Sequence, residues 1–337
     1  MARRYDVYGV GNAIMDLQLR VEEEDLKKLQ LVKGGMKLVE PEEQKSLLEY
    51  YHGRDLNRAS GGSAANTMIA IAQLGGFVAY GCAVGNDDYG NFYFEEMDEL
   101  AVQLHTLPIE GKPTGTCVIL ITPDAERTMN THLGASVELE AEHVSEEMLG
   151  DSEWVYIEGY LFSQPSGQRV IRRVCELTKK HGVKVAVTFS DGFIVEYFRE
   201  PLDEALKYAD LVFANLNEAR KYTGLTDPDE VFEKYASAFP TAVMTMSEKG
   251  ARVRHLGLDY DIPPFPVKAV DDTGAGDMFA GGFLYGLTQG MDAEHAGRLA
   301  CYLASKVVSQ LGPRLHCDVK ELLLKKEYMN VGRLSHD

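Results

Sequence analysis

Apolar and polar positions fall into two regimes along this chain. In the C-terminal half, short runs rich in β-branched and aromatic residues at 154–157, 184–188, 211–213 and 242–246 alternate with stretches of helical period at 170–180, 218–222 and 231–235. Strands separated by helices return by crossovers, so this alternation predicts βαβ units and a mainly parallel sheet covered by helices on both faces. Two helices rich in Gly and Ala are predicted to follow, at 275–288 and 293–310.

The N-terminal part is mixed. YDVYGVG at 5–11 has the pattern of a buried strand closed by glycine, leaving Asn12 and Asp16 just past a strand end, where polar side chains can face a ligand. Segments 14–20 and 31–39 read as extended, 22–29 and 41–51 as helical, 66–74 as a helix directly after Gly61 and Gly62, 77–84 as a strand and 88–100 as a helix. Short alternating segments at 104–107, 116–121 and 127–132 form a separate cluster of strands. The predicted fold class is α/β, with one domain over 1–337. It is a doubly wound, mainly parallel sheet with helices on both faces, and a small β-strand lid from roughly 14–40 and 104–135 lies over the sheet's C-terminal edge, where such folds bind ligands.

Composition narrows the partners. The chain has 337 residues, enough to bury a large core, and 52 Asp and Glu against 34 Lys and Arg give a formal net charge of -18. That charge repels a nucleic-acid backbone, and no basic run offsets it, so nucleic acid is not an expected partner. Five cysteines, odd in number and without a CxxC, speak against a disulfide framework and a zinc site and fit a reducing compartment. The stretch 59–86 carries no charge and is long enough to span a bilayer, but its glycines and Ser63, Asn66, Gln73 and Asn86 mark it as buried loop, helix and strand. Asp6 and Asp16 interrupt the N-terminal apolar stretch, so no secretory leader is expected. The expectation is a cytoplasmic protein without a membrane partner.

Two glycine-led elements carry the chemistry. In VDDTGAGDMFAGG at 270–282 a Gly-Ala-Gly turn opens a helix with Asp277 in its first turn. Free N–H groups and the helix dipole there make an anion site, and an adjacent carboxylate can take a proton from an attacking hydroxyl. In ASGGSAANTM at 59–68 paired glycines precede a helix start bearing Asn66, so the Gly62 and Asn66 amide groups could hold vicinal sugar hydroxyls whose protons Asp16 accepts. The same residues are consistent with packing glycines, a dipole-compensating acid and an N-capping Ser63. The chain contains no dinucleotide fingerprint, GxxxxGK[ST], HExxH or GxSxG.

Taken in order along the chain, these elements resemble the ribokinase-like (PfkB) family of carbohydrate and nucleoside kinases. The resemblance rests on GNAIMD at 11–16, GGSAAN at 61–66, RTMNTHLGAS at 127–136, NLNE at 215–218, TMSEKG at 245–250 and DTGAGD at 272–277. It implies a ribokinase-like fold, ATP as phosphate donor and Mg²⁺ as cofactor. Asp277 becomes the catalytic base, with Gly274, Ala275 and Gly276 forming the anion hole and Arg127 near the transferred phosphate. Asn12, Asp16, Gly61, Gly62, Ser63 and Asn66 fall to the acceptor. Asn215, Glu218, Thr245, Ser247, Gly250, Gly274 and Gly276 fall to ATP, with Glu218 holding Mg²⁺ through water. Met68, Asp272 and Ser247 depart from the family pattern.

Within that family the 127–136 block and the tail VVSQLGPR at 307–314 look most like adenosine kinases, which implies phosphorylation of a nucleoside 5′-hydroxyl. Ile14, Met129 and Leu161 stand where the resemblance places an apolar slot for the base. A ribokinase- or fructokinase-type sugar kinase is the alternative, and a non-catalytic ligand-binding member of the fold is the second. The expected partners are a small-molecule nucleoside or sugar and ATP, the assembly a monomer or homodimer.

Overall fold

Strand β1 (Tyr5–Val10) sets the layers. Val7 points into a core with Ile69, Phe283 and Ala300, while Tyr8 and Val10 point into a second core with Val170, Val174 and Phe232. A strand buried on both faces needs helices on both sides, and each large side chain so buried contributes about 1.5–3 kcal/mol. The computed structural model describes residues 3–124, 126–317, 319–325 and 327–329, so the ends of the expected 1–337 domain lie outside the described residues.

The remaining strands are β2 (Ile14–Arg20), β3 (Met36–Leu38), β4 (Asn57–Gly61), β5 (Val78–Gly81), β6 (Val102–Leu104), β7 (Gly115–Ile121), β8 (Arg127–His132), β9 (Ser152–Ile157), β10 (Lys184–Thr188), β11 (Leu211–Asn215), β12 (Thr241–Thr245), β13 (Ala251–His255) and β14 (Leu258–Ile262). Nine of them form one sheet in the order β14-β13-β12-β11-β10-β9-β1-β5-β6, parallel from β12 to β6 and closed by the antiparallel β13 and β14. The other five form a small sheet, β3-β8-β7-β2-β4.

The small sheet is covered on one face. Met15, Leu17, Leu19, Val118 and Leu120 pack with Leu26, Leu47 and Tyr51, which come from helices Glu23–Lys28 and Pro41–Tyr50 and the residue that follows the second. Gln44 pins the second helix to β7, donating to the Thr116 carbonyl at 3.0 Å and accepting from the Thr116 hydroxyl. By strand alternation Ile14, Asp16, Cys117 and Ile119 face the other way. Ile14, Cys117 and Ile119 form a separate apolar cluster there with Met129 and Leu133.

The doubly wound architecture agrees with the sequence reading, and several bounds differ. The strand expected at 104–107 lies at Val102–Leu104 and pairs with β5 in the large sheet, because Val102 can enter the core while Leu107 stands 82% exposed. Only Met36–Leu38 of 31–39 is strand, and the helix expected from 66 begins at Ser63. β4, the β13–β14 hairpin and helices Gly192–Tyr197 and Arg199–Leu206 had no counterpart in the sequence reading. The uncharged 59–86 stretch is strand, helix and strand, and among the described residues no helix is long and apolar enough to cross a membrane.

Three helices meet at backbone distance behind the sheet. A Cβ at Gly282 would lie 3.1 Å from the Ala300 Cα and one at Gly286 2.8 Å from the Ala296 Cβ, so helices Ala275–Thr288 and Ala293–Val308 pack through glycine. On its other side, Gly281 leaves room for Ala70 and the Thr67 carbonyl, which a Cβ would approach to 2.7 and 2.9 Å. That contact draws the start of helix Ala275–Thr288 toward the start of helix Ser63–Gln73.

Candidate active site

The two glycine-led helix starts meet at the C-terminal edge of the parallel strands. Before Ser63–Gln73, Gly62 has φ 108° and a Cβ there would lie 2.1 Å from the Asn12 carbonyl oxygen, so the position requires glycine twice over. Gly274, with φ 73°, opens the second helix, and no side chain caps it. The amides of Gly276 and Asp277 have no acceptor among the described residues, and the space beside Gly276 is open. Across this junction the Ser63 hydroxyl donates to Asp277 Oδ1 at 2.6 Å and the Asn66 amide to Oδ2 at 3.4 Å.

Burial pushes the Asp277 carboxyl up to about 6, against those two hydrogen bonds, and the charge of Asp16 adds to the rise. Asp16 lies on β2 under Gly61, whose Cβ would come within 2.9 Å of its carboxyl. Burial pushes it up to about 6 as well, with Arg127 and Arg314 pulling it down. Glu158, directly after β9, is fully buried. Its Oε1 accepts from the Asn12 side-chain amide at 2.7 Å and the Asn12 N–H at 3.3 Å, and its Oε2 from the Ala64 N–H at 2.9 Å. Burial raises this carboxyl to about 7, in spite of those donors.

A cleft runs from Asp277, Gly274, Gly276 and Ser63 to Asn215, Glu218 and Thr245, walled by Tyr156, Phe213 and Phe279. Asn215 caps helix Leu216–Thr223 in a reciprocal box: its Oδ1 accepts from the Glu218 N–H at 2.9 Å, while its own N–H and side-chain amide donate to Glu218 at 2.9 and 2.7 Å. Burial pushes Glu218 up to about 7, with the charge of Asp191 adding to the rise. Among the described residues no group of three or more acidic, His or Cys side chains could hold a metal ion. Glu218, on the Asn215 side of the cleft, would fit a magnesium ion that keeps its waters.

Arg127 on β8 reaches the loop before the second glycine element. Its Nη1 donates to Asp271 Oδ2 at 2.9 Å, with both side chains buried, and its Nε and Nη2 are buried without a partner among the described residues. Asp271 also accepts from the Gly312 N–H at 2.8 Å and the Thr273 N–H at 3.0 Å.

The glycine-led helix start, the adjoining acid and the acidic helix cap lie in one cleft, and the family model for pfkB family carbohydrate kinases matches residues 10–320. The chain belongs to this family. This pfkB chain is 26% identical over 327 residues to adenosine kinase 1 of Arabidopsis thaliana, covering 90% of this chain and 94% of that one. The crystal structure of a probable sugar kinase from Rhizobium etli CFN 42 matches it with a TM-score of 0.89 and 36% identity, over 97% of this chain and 99% of the other. For adenosine kinase from Sinorhizobium meliloti the values are 0.87 and 35%, over 96% and 99%.

In this pfkB chain most of the residues singled out from sequence come together. Asp277, Gly274, Gly276, Ser63, Asn215, Glu218 and Thr245 line the cleft, with Ala275 in the same helix start, and Asn12, Asp16, Gly61, Gly62 and Asn66 adjoin it. Ile14 and Met129 share the apolar cluster on the Asp16 face. Leu161 does not join them: it is 1% exposed in the core with Val10, Phe162 and Phe189. Ser247 is exposed in the turn after β12, and Gly250 is buried where that turn passes the Ile262 carbonyl.

The sequence reading passed over Glu158, Asp271 and Arg314. Arg314 pairs with Glu96 at 3.2 Å and donates to the Ser60 carbonyl, joining the tail to β4. Signals existed for all three. Glu158 follows an apolar strand run as Asn12 follows β1, Asp271 lies within 270–282, and Arg314 ends the 307–314 tail.

Proposed function

We propose that this chain is a Mg-ATP-dependent kinase that phosphorylates the 5′-hydroxyl of a nucleoside, adenosine foremost, to its 5′-monophosphate. One observation carries the reading: Asp277 is held by Ser63 and Asn66 of the first helix start and lies beside the uncapped amides of the second. A base, an anion hole and a positioned acceptor are what phosphoryl transfer asks of a protein. The hydroxyl oxygen attacks the γ-phosphorus in line, the bond to the β–γ bridging oxygen breaks, ADP leaves, and the proton passes to Asp277. The Gly274, Ala275 and Gly276 turn stabilises the transferring charge. Glu218 would hold magnesium through water, and the ion would supply further charge neutralisation.

Asp16, Gly61, Gly62, Asn66 and Asn12 take the sugar hydroxyls. Ile14 and Met129, with Cys117 and Leu133 beside them, take the base, and Asn215, Thr245, Ser247 and Gly250 shape the ATP side. The small sheet acts as the lid and excludes water on closing. The kinship with adenosine kinases from Arabidopsis thaliana and Sinorhizobium meliloti supports adenosine as acceptor. Five free cysteines support a cytoplasmic enzyme, acting as a monomer or homodimer.

A free sugar is the second reading, favoured by the probable sugar kinase of Rhizobium etli at 36% identity. Purified protein with Mg-ATP and, separately, adenosine, inosine, guanosine, ribose and fructose decides between them. Selective ADP release with adenosine and formation of AMP is expected. Turnover of ribose or fructose alone moves the acceptor to a sugar, and no turnover of any acceptor rejects the kinase.

A further inference from the structure

The pair that joins the small sheet to the loop before Asp277 is unevenly bonded. Asp271 is saturated from three segments: Arg127 of β8, Thr273 of its own loop and Gly312 of the C-terminal turn. Burial opposes its charge, yet the Gly312 and Thr273 amides and Arg127 hold its carboxyl below the usual range. Arg127 is unsaturated. One nitrogen is engaged, and Nε and Nη2 are buried with no acceptor among the described residues, in a side chain only 6% exposed. A guanidinium is a rigid planar fork, so a stem fixed on β8 and one nitrogen fixed on Asp271 set the direction of the rest.

That direction bears on the reaction. Arg127 lies close enough to Asp16 for its charge to pull that carboxyl down, and Asp271 stands three residues before Gly274. We propose that Asp271 is a positioning residue for phosphoryl transfer: it clamps Arg127 so that Nε and Nη2 face the gap between acceptor and phosphate, where phosphoryl oxygens become their acceptors. The inference rests on the kinase reading above. Charge in the transition state spreads over the equatorial oxygens, and a donor already aimed at them needs no reorganisation during the reaction. Asp271 therefore acts through Arg127 and touches no reacting atom.

Steady-state kinetics with Mg-ATP and the acceptor turned over fastest test the assignment. Asp271→Asn is expected to lower kcat about 100-fold while the acceptor KM stays within about threefold. Arg127→Ala combined with Asp271→Asn is expected to be no slower than Arg127→Ala alone, because the two act as a unit. Arg127→Lys keeps a charge opposite Asp271 but loses the fork, so its kcat should fall as far as that of Arg127→Ala. A kcat for Asp271→Asn within about threefold of the unaltered chain, or a double variant whose loss is the product of the single losses, overturns the proposal. Should Asp271→Asn fail to fold, Arg127→Lys decides, since near-full activity there also overturns it. An unaltered chain that turns over no acceptor rejects the kinase reading and this proposal with it.

Discussion

The two glycine-led helix starts look alike in sequence and are wired in opposite ways. At Ser63–Gln73 the N-terminal charge is answered from inside, since Glu158 accepts from the Ala64 N–H and its other oxygen grips Asn12. At Ala275–Thr288 no side chain caps the helix, and the amides of Gly276 and Asp277 have no protein acceptor among the described residues. Both starts carry the same partial positive charge. One meets it with a buried acid of the protein, and the other leaves its amides open, which on the proposed function serves the transferring phosphate. A glycine-rich helix start is therefore read by asking whether a buried carboxylate already occupies it.

The largest break in this contrast comes from the acid that links the two starts. Asp277→Asn is expected to lower kcat about 10³-fold while acceptor binding, followed by calorimetry, survives. Next, Gly276→Asp would place an internal anion near the open start and make it resemble its counterpart, so kcat should fall about 100-fold and recover little with added ATP. A smaller effect is expected from Glu158→Gln, which leaves the Ala64 N–H opposed by an amide. It should raise the acceptor KM about tenfold and lower stability by about 1–3 kcal/mol, with kcat nearly kept.

The pH dependence sharpens the contrast further. Asp16 and Asp277 are raised to about 6, and Glu158 and Glu218 to about 7, all by burial first. Between the ordinary carboxylate range and those values the folded chain binds protons that the unfolded chain has released, so stability falls as pH rises through this window. The Tm should drop from pH 5 to pH 7, less steeply in Glu158→Gln. Activity should move the other way, with kcat/KM rising through about pH 6 as Asp277 ionises. A Tm that rises over that interval would contradict the buried-acid assignment.

How much of this is legible in the sequence depends on where each signal lies. β1, β2, β10 and helix Ala275–Thr288 are carried by local apolar periodicity and appear near their expected bounds. β4 escapes because NRASG has neither alternation nor β-branched residues, and its place is set by pairing with β2. The β13–β14 hairpin hides its inward pattern among arginines. Arg252 and Arg254 lie over the Phe232 ring at 4.1 and 5.5 Å, so charged residues do part of the packing. Asp277, Asn66 and Glu218 stand beside recognisable turns. Asp271 and Arg314 take their meaning from partners 144 and 218 or more residues away, which no local window contains. Leu161 shows the converse, because an apolar residue after a strand fits a slot or a core equally well until its neighbours are known.

The close contact at Gly281 leaves no room for a side chain between helix Ser63–Gln73 and helix Ala275–Thr288. On the proposed function, the spacing between Ser63, Asn66 and Asp277 is then set by backbone packing, and an opening of the cleft is expected to come from the small sheet instead. Motion would govern entry and exit, while the reacting distances would be set at folding.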